Sequence, residues 1–258
     1  MTDLPTPPDG ALARLRERFA ALRSDRLGPP AGPHETRTAG ILRPVVFGAN
    51  DGLVSNLALI MGVAGAAPEP SFIVLAGIAG LLAGAFSMAV GEYVSVAAQR
   101  EMLQAQVHLE RRQLETEPEK ERAILIGLFR EKGFSEAEAS AVAGTVFADP
   151  ELALATMVRE EIGMDMKSIG SPMVAAAGSF IAFVLGASIP VIPYLITSGT
   201  AAFVASLVLG LVALFFLGVA ISRFTGRSWL FSGARQVALG GVAAAVTYFV
   251  GSAIGTAV

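Results

Sequence analysis

The sequence has no cysteine, which excludes disulfides, thiolate zinc sites and iron–sulfur ligation. Histidine is nearly absent: His34 and His108 are too few for a histidine-rich metal or haem site. Charge is scarce too, at 16% of 258 residues, where a soluble domain carries about a quarter. The deficit is uneven, for no Asp or Glu follows Asp165. A stretch of that length without carboxylates cannot cover a water-facing surface, whereas lipid solvates it. The net charge of −3 gives no reason to expect a nucleic-acid partner. The N-terminal residues lack the basic–apolar–small pattern of a signal peptide, so insertion is expected through the first spanning helix.

What is present is apolar length. Five runs meet the requirement of about 20 apolar residues for a spanning helix. They are Pro44 to Ala67, broken only by Asp51, then Ser71 to Gly91, Pro172 to Ile196, Thr200 to Ser222 and Gln236 to Val258. Pro68 and Pro70 mark a turn between the first two, and Pro190 and Pro193 are expected to end the third. Lysine and arginine orient the spans. Seven lie at or before Arg43, nine between Arg100 and Lys167, and the last three are Arg223, Arg227 and Arg235. A five-helix chain with its N-terminus inside puts all of them on the cytoplasmic side and the C-terminus opposite.

Residues 1–40 are polar, with Leu12, Leu15, Phe19 and Leu22 at helical spacing among arginines. They read as a cytoplasmic tail with an amphipathic helix over Ala11 to Leu27 as one reading and a partly disordered tail as the other. Residues 98–171 are charged and rich in helix formers. The second span is expected to continue to about Glu115, followed by helices near 118–132, 135–147 and 150–163. Thr116 with Glu119 and Ser135 with Glu138 have capping-box spacing. Asp149-Pro150 reads as an N-cap and first helical residue, and Gly133 and Gly163 suit helix C-termini. The fold class is therefore an all-α integral membrane protein. Transmembrane helices 1 and 2 occupy 41–97 and helices 3 to 5 occupy 172–258. A small cytoplasmic helical domain is inserted between the second and third helices.

Asp51 is the most informative residue, because a carboxylate within a spanning helix costs several kcal/mol even on lenient scales, about 3. Such residues face a pathway, a partner or water. Asn50 and Ser55 add polarity beside it. Met88 and Glu92, four apart, share a helical face. A thioether beside a carboxylate suits a borderline transition metal better than Mg²⁺ or Ca²⁺, which take oxygen alone. Fourteen of the 22 acidic residues fall between Glu101 and Asp165. Within them Met157, Glu160, Glu161 and Met164 have the offsets of one helical stripe, a candidate docking site for a soft metal.

At these residues the sequence resembles the vacuolar iron transporter family. The run Val46-Phe47-Gly48-Ala49-Asn50-Asp51-Gly52-Leu53-Val54-Ser55 is similar to its first-helix signature. Ser87-Met88-Ala89-Val90-Gly91-Glu92-Tyr93-Val94-Ser95 is similar to its second-helix signature. Met157 to Gly163 resembles the end of its cytoplasmic metal-binding domain, and Gly170-Ser171-Pro172 the start of its third span. The resemblance runs from about Ile41 to the C-terminus. It implies a five-helix homodimer in the lipid bilayer that exchanges Fe²⁺ for protons, with the metal path between subunits. Asp51 and Met88 would line that path and Glu92 would stand near its cytoplasmic mouth. Glu101, Glu110, Glu121, Met157, Glu160, Glu161 and Met164 would gather metal. The chain departs from the family where Gln113, Ala123, Ile124 and Val158 replace expected ligands, and Gln104 and Gln106 stand where acids are common. Fewer or weaker cytoplasmic sites are expected.

The function expected is a proton-coupled exporter of Fe²⁺, with Mn²⁺ and other divalent transition metals as further cargo and no permanently bound cofactor. In a bacterial cell it would occupy the inner membrane. Two rivals differ in class. A sensor or sequestration protein would bind metal without moving it, but has no need of Asp51. A membrane-tethered ferroxidase would use Glu-x-x-His pairs, and His108 has Ala105 three residues before it.

Overall fold

The computed structural model describes residues 33–66, 69–161, 163 and 170–257. The amphipathic helix expected over 11–27, Pro68 of the first turn, and Met164 lie outside the described residues. Eight helices are described: α1 (Pro33–Gly65), α2 (Pro70–Thr116), α3 (Pro118–Glu131), α4 (Glu136–Phe147), α5 (Pro150–Glu160), α6 (Pro172–Ile196), α7 (Gly199–Thr225) and α8 (Trp229–Gly255). There is no strand among the described residues. Five helices, α1, α2, α6, α7 and α8, are long and apolar enough to cross a membrane. The chain divides into two compact units. One comprises 39–98 with 170–258, and the other is built on 99–169.

The first unit contains the five apolar stretches. Its core runs through Leu53, Leu57, Ile60 and Met61 of α1, Val191 and Tyr194 of α6, Leu214 of α7 and Ala244 of α8. The helix α6 is the most enclosed, with half of its apolar window buried against 17% for α2 and 11% for α8. Large side chains such as Leu75, Leu82, Phe86, Phe216 and Phe249 face outward, while small residues make the contacts between helices. A Cβ at Gly48 would stand 2.6 Å from the Ser179 carbonyl oxygen, and one at Gly186 2.5 Å from that of Ala49. Backbones of α1 and α6 therefore touch, as glycine permits in membrane helices that gain little from burying apolar surface against each other.

Four local readings differ from the sequence expectation. The helix α1 begins at Pro33 and carries Pro44 inside it. Pro190 and Pro193 do not end α6, which runs through both to Ile196. Neighbouring helices meet the polar groups around such breaks; here Ser206 Oγ of α7 donates to the Pro190 carbonyl at 2.7 Å. The last helix starts at Trp229 instead of Gln236 and so includes Arg235. Arginine is a good helix former, and the Arg235 guanidinium lies over the Phe231 ring one turn back, 5.9 Å from its centroid.

The fourth difference is at the start of α3. Thr116 does not form a capping box with Glu119. It ends α2, its Oγ1 donating to the Arg112 carbonyl at 2.8 Å, and Glu117 is the N-cap. Pro118 decides this, because a residue without an N–H fits best at the first helical position. The other caps form. Ser135 and Glu138 make a reciprocal capping box, and Asp149 accepts from the backbone N–H groups of Glu151 and Leu152. Gly133 takes a positive φ of 92° after α3. Gly133 N–H donates to Arg130 and Phe134 N–H to Phe129, a Schellman closure whose apolar pair is Phe129 on Phe134, ring centroids 5.6 Å apart.

The helix α2 contributes residues to both units. Its 47 residues are over twice the ~20 that a spanning helix needs. Its charged C-terminal part belongs to the second unit. There Leu125, Phe129, Ala143 and Met157 form one apolar cluster and Leu103, Leu154 and Val158 another, with Leu114 packed against both.

Candidate functional site

In the first unit the sequence-predicted residues divide between two cavities. Asp51, Ser55 and Asn56 of α1 face Gly80, Gly84, Ser87 and Met88 of α2 across a space of about 230 Å³, with Phe183 of α6 as its third wall. No hydrogen bond or ion pair holds the Asp51 carboxylate among the described residues. Ser55 lies one turn along, but its hydroxyl is turned back to the Asp51 carbonyl at 2.5 Å. Met88 packs with Phe183, Ala85 and Ala187 on one side of the cavity. Gly84 makes room for Phe183, whose ring a Cβ there would meet. The cavity thus offers a carboxylate oxygen and a thioether sulfur to one occupant, which suits a borderline divalent metal.

Asn50 does not join this group. It lines a second cavity of about 430 Å³ with Arg43, Phe47, Ile221 and Gln236, and its Oδ1 is buried without a partner. Glu92 follows Met88 by one turn on α2 and is half-buried, but does not line the Asp51 cavity.

Asn56 was not singled out by sequence reasoning. It is 2% exposed, and its Nδ2 donates to the carbonyls of Gly77 at 3.2 Å and Ala187 at 2.7 Å. Its Oδ1 has no partner among the described residues, and leaving a buried acceptor unsatisfied costs about 1–3 kcal/mol. The available signal was an amide inside an otherwise apolar run.

The second unit gathers a different donor set. Glu110 of α2, Glu121 of α3 and Glu161, the residue capping α5, offer carboxylate oxygens within 4.8 Å of one another. Glu110 is 5% exposed and Glu121 1%, and one oxygen of each is buried with no hydrogen-bond partner. Burial, then the charges of Glu161 and Glu121, pushes the Glu110 carboxyl up to about 7. Burial and Glu161 also raise Glu121. Lys120 opposes this only weakly, being bound to Glu117 at 2.8 Å. The ionised forms of Glu110 and Glu121 are therefore disfavoured there unless a cation joins them.

The stripe expected along α5 is split. Helix α5 ends at Glu160, and Gly163 beyond it takes a φ of 72°. Met157 is fully buried in the apolar cluster with Leu125 and Phe129. Glu160 pairs with Lys132, and of the described stripe residues only Glu161 joins the carboxylate group. Glu101 is exposed and outside it.

The model of the VIT family matches residues 42–252. Vacuolar iron transporter 1 of Arabidopsis thaliana is 34% identical over 213 residues, covering 82% of this chain and 85% of that protein. The vacuolar iron transporter of Acanthamoeba castellanii is 37% identical over 220 residues, 83% of this chain and 78% of that one. For that of Toxoplasma gondii the identity is 31% over 230 residues, 85% and 76% of the two chains.

Proposed function

This chain belongs to the VIT family, and from that membership we propose that it exchanges Fe²⁺ for protons across a membrane, carrying metal out of the cytoplasm. It is a multi-pass integral membrane protein, and the relatives are named as transporters, not enzymes. The observation that carries the reading is the cavity shared by Asp51 and Met88. A carboxylate at membrane depth with no partner is costly unless something passes beside it, and the thioether favours a transition metal as that cargo. Mn²⁺ and other divalent transition metals belong to the same chemical class.

In this reading the 98–171 segment is a cytoplasmic metal-gathering domain. Glu110, Glu121 and Glu161 collect the ion, and Glu92 receives it at the mouth of the path. Protons are coupled because ligation requires deprotonated carboxylates. As metal leaves, Asp51 or Glu92 takes up a proton. The metal path runs between two copies of the chain. The thin cover on α2, with Phe72, Leu75, Leu82 and Phe86 exposed, supports a second copy against that helix.

The test is metal uptake by proteoliposomes under an imposed pH gradient. Wild type should accumulate Fe²⁺ when the gradient drives protons the opposite way, and Asp51→Ala should not. Equal uptake by the two sinks the mechanism.

A further inference from the structure

The amide of Asn56 is fixed in one orientation by chemistry. Both acceptors of its Nδ2, Gly77 O on α2 and Ala187 O on α6, are backbone carbonyls, which cannot donate. The nitrogen must face them, so the oxygen is held at the opposite edge of the amide, within its plane. The residue lines the cavity with Asp51 and Met88. Its Oδ1 is buried and has no hydrogen-bond partner among the described residues. Gly80 of α2 stands opposite, and a Cβ at that position would come within 3.0 Å of Oδ1. A bare carbonyl-type oxygen thus sits, against Gly80, on a residue that lines the same cavity as the carboxylate and the thioether.

Resting on the transport reading above, we propose that Asn56 Oδ1 is a ligand of the transported divalent cation and tunes which cation is preferred. An amide oxygen is a hard neutral donor. Beside Asp51 it raises the oxygen share of the ligand set without adding charge, which favours Mn²⁺ and Fe²⁺. Met88 pulls the other way, toward softer ions such as Cd²⁺. Being neutral at all working pH, the amide binds the cation without releasing a proton, so Asp51 remains the group that links metal to protons in this cavity.

The experiment measures Mn²⁺ and Cd²⁺ flux in proteoliposomes holding the full chain as wild type, Asn56→Ala, Asn56→Ser or Met88→Ala. Loss of the oxygen should lower the Mn²⁺ to Cd²⁺ ratio about fivefold or more, and Met88→Ala should raise it. A purely structural role would depress both ions together. A folded Asn56→Ala whose ratio stays within about twofold of wild type overturns the assignment while leaving transport intact. Absence of wild-type flux for any metal overturns the transport reading, and the assignment with it. Should neither Asn56 variant fold, Co²⁺ located by anomalous scattering in the wild-type chain decides. An ion within about 2.6 Å of Oδ1 supports the ligand, and one held at Asp51 and Met88 but beyond about 4 Å from it refutes it.

Discussion

In the membrane unit a single carboxylate, Asp51, shares its cavity with a thioether and an amide, whereas the α3–α5 unit gathers three carboxylates and offers oxygen alone. The first set of donors suits one ion of borderline softness and would give it one negative charge. The second buries carboxylates beside one another, so that burial first and the neighbouring charges after it raise the Glu110 carboxyl to about 7. Their surroundings differ in the same sense. Glycines let α1, α2 and α6 close around Asp51, which favours selectivity. The acidic group is built from residues on three elements, one of them exposed, which favours capture from water. A transporter needs both a collector and a selective path, and in the proposed reading the two units divide those tasks.

The largest expected effect separates them. Asp51→Asn keeps the shape of the side chain and removes its charge. At saturating Fe²⁺ it should lower flux on the order of 100-fold or more, since losing even an outer-shell partner costs 10–100-fold. Glu121→Gln should leave flux at saturating metal near wild type and raise the half-saturating concentration about tenfold. If Glu121→Gln abolished flux at every metal concentration, the acidic group would belong to the path and the division of tasks would fail.

Protons provide the next, smaller contrast. The folded Glu110 carboxyl titrates near 7, above its ordinary value of 4.5. Between these values the folded chain holds more protons than the unfolded one, so stability of this unit falls as pH rises from about 4.5 to about 7 and levels off above. Below that window the carboxyl is protonated in both states and no penalty applies. A divalent cation binds the ionised group, so Mn²⁺ should protect the unit at pH 8 and hardly at pH 5. Hydrogen exchange over 118–160 in the detergent-solubilised chain measures this. Glu110→Gln should slow exchange at pH 8 without metal and abolish most of the Mn²⁺ effect. A Mn²⁺ effect of equal size at pH 5 and pH 8 would contradict the assignment.

The membrane unit was the more legible of the two in the sequence. Apolar length fixes a spanning helix almost alone, so five spans could be counted, and α6 matched residue for residue from Pro172 to Ile196. Errors arose where one residue type was read by habit. Arg235 looked like a loop boundary, although a long charged side chain is compatible with a helix that leaves the apolar layer. Pro190 and Pro193 looked like terminators, although a hydroxyl from the next helix meets a carbonyl beside them. Asn56 was invisible because a single amide in an apolar run has no periodicity, and its orientation depends on carbonyls supplied by α2 and α6. The acidic group was hidden for a related reason. Glu110, Glu121 and Glu161 have no common spacing along the chain, and only the packing of α2, α3 and α5 brings them together.

Glu160 and Glu161 give the finest test, because the sequence placed them in one stripe and the structure assigns them to different partners. Glu160 pairs with Lys132, whose side chain is 45% exposed and whose ammonium also lies 5.9 Å from the centroid of the Phe129 ring. A pair of that exposure contributes about 1 kcal/mol or less. Glu160→Gln and Lys132→Met should each therefore soften the end of α5 slightly, and the double variant should lose no more than the larger of the two. Neither should change metal affinity, since Lys132 screens a carboxylate outside the acidic group. Glu161→Gln should do the reverse. It removes one of three ligands and weakens Mn²⁺ binding about tenfold, and it relieves Glu110 and Glu121 of a repelling charge. Isothermal titration of the full chain with Mn²⁺ compares them directly, with Asp51→Asn as the background so that only the acidic group is titrated. Equal weakening by Glu160→Gln and Glu161→Gln would mean that metal binds along a helical stripe after all, and that the collector is drawn around the wrong residues.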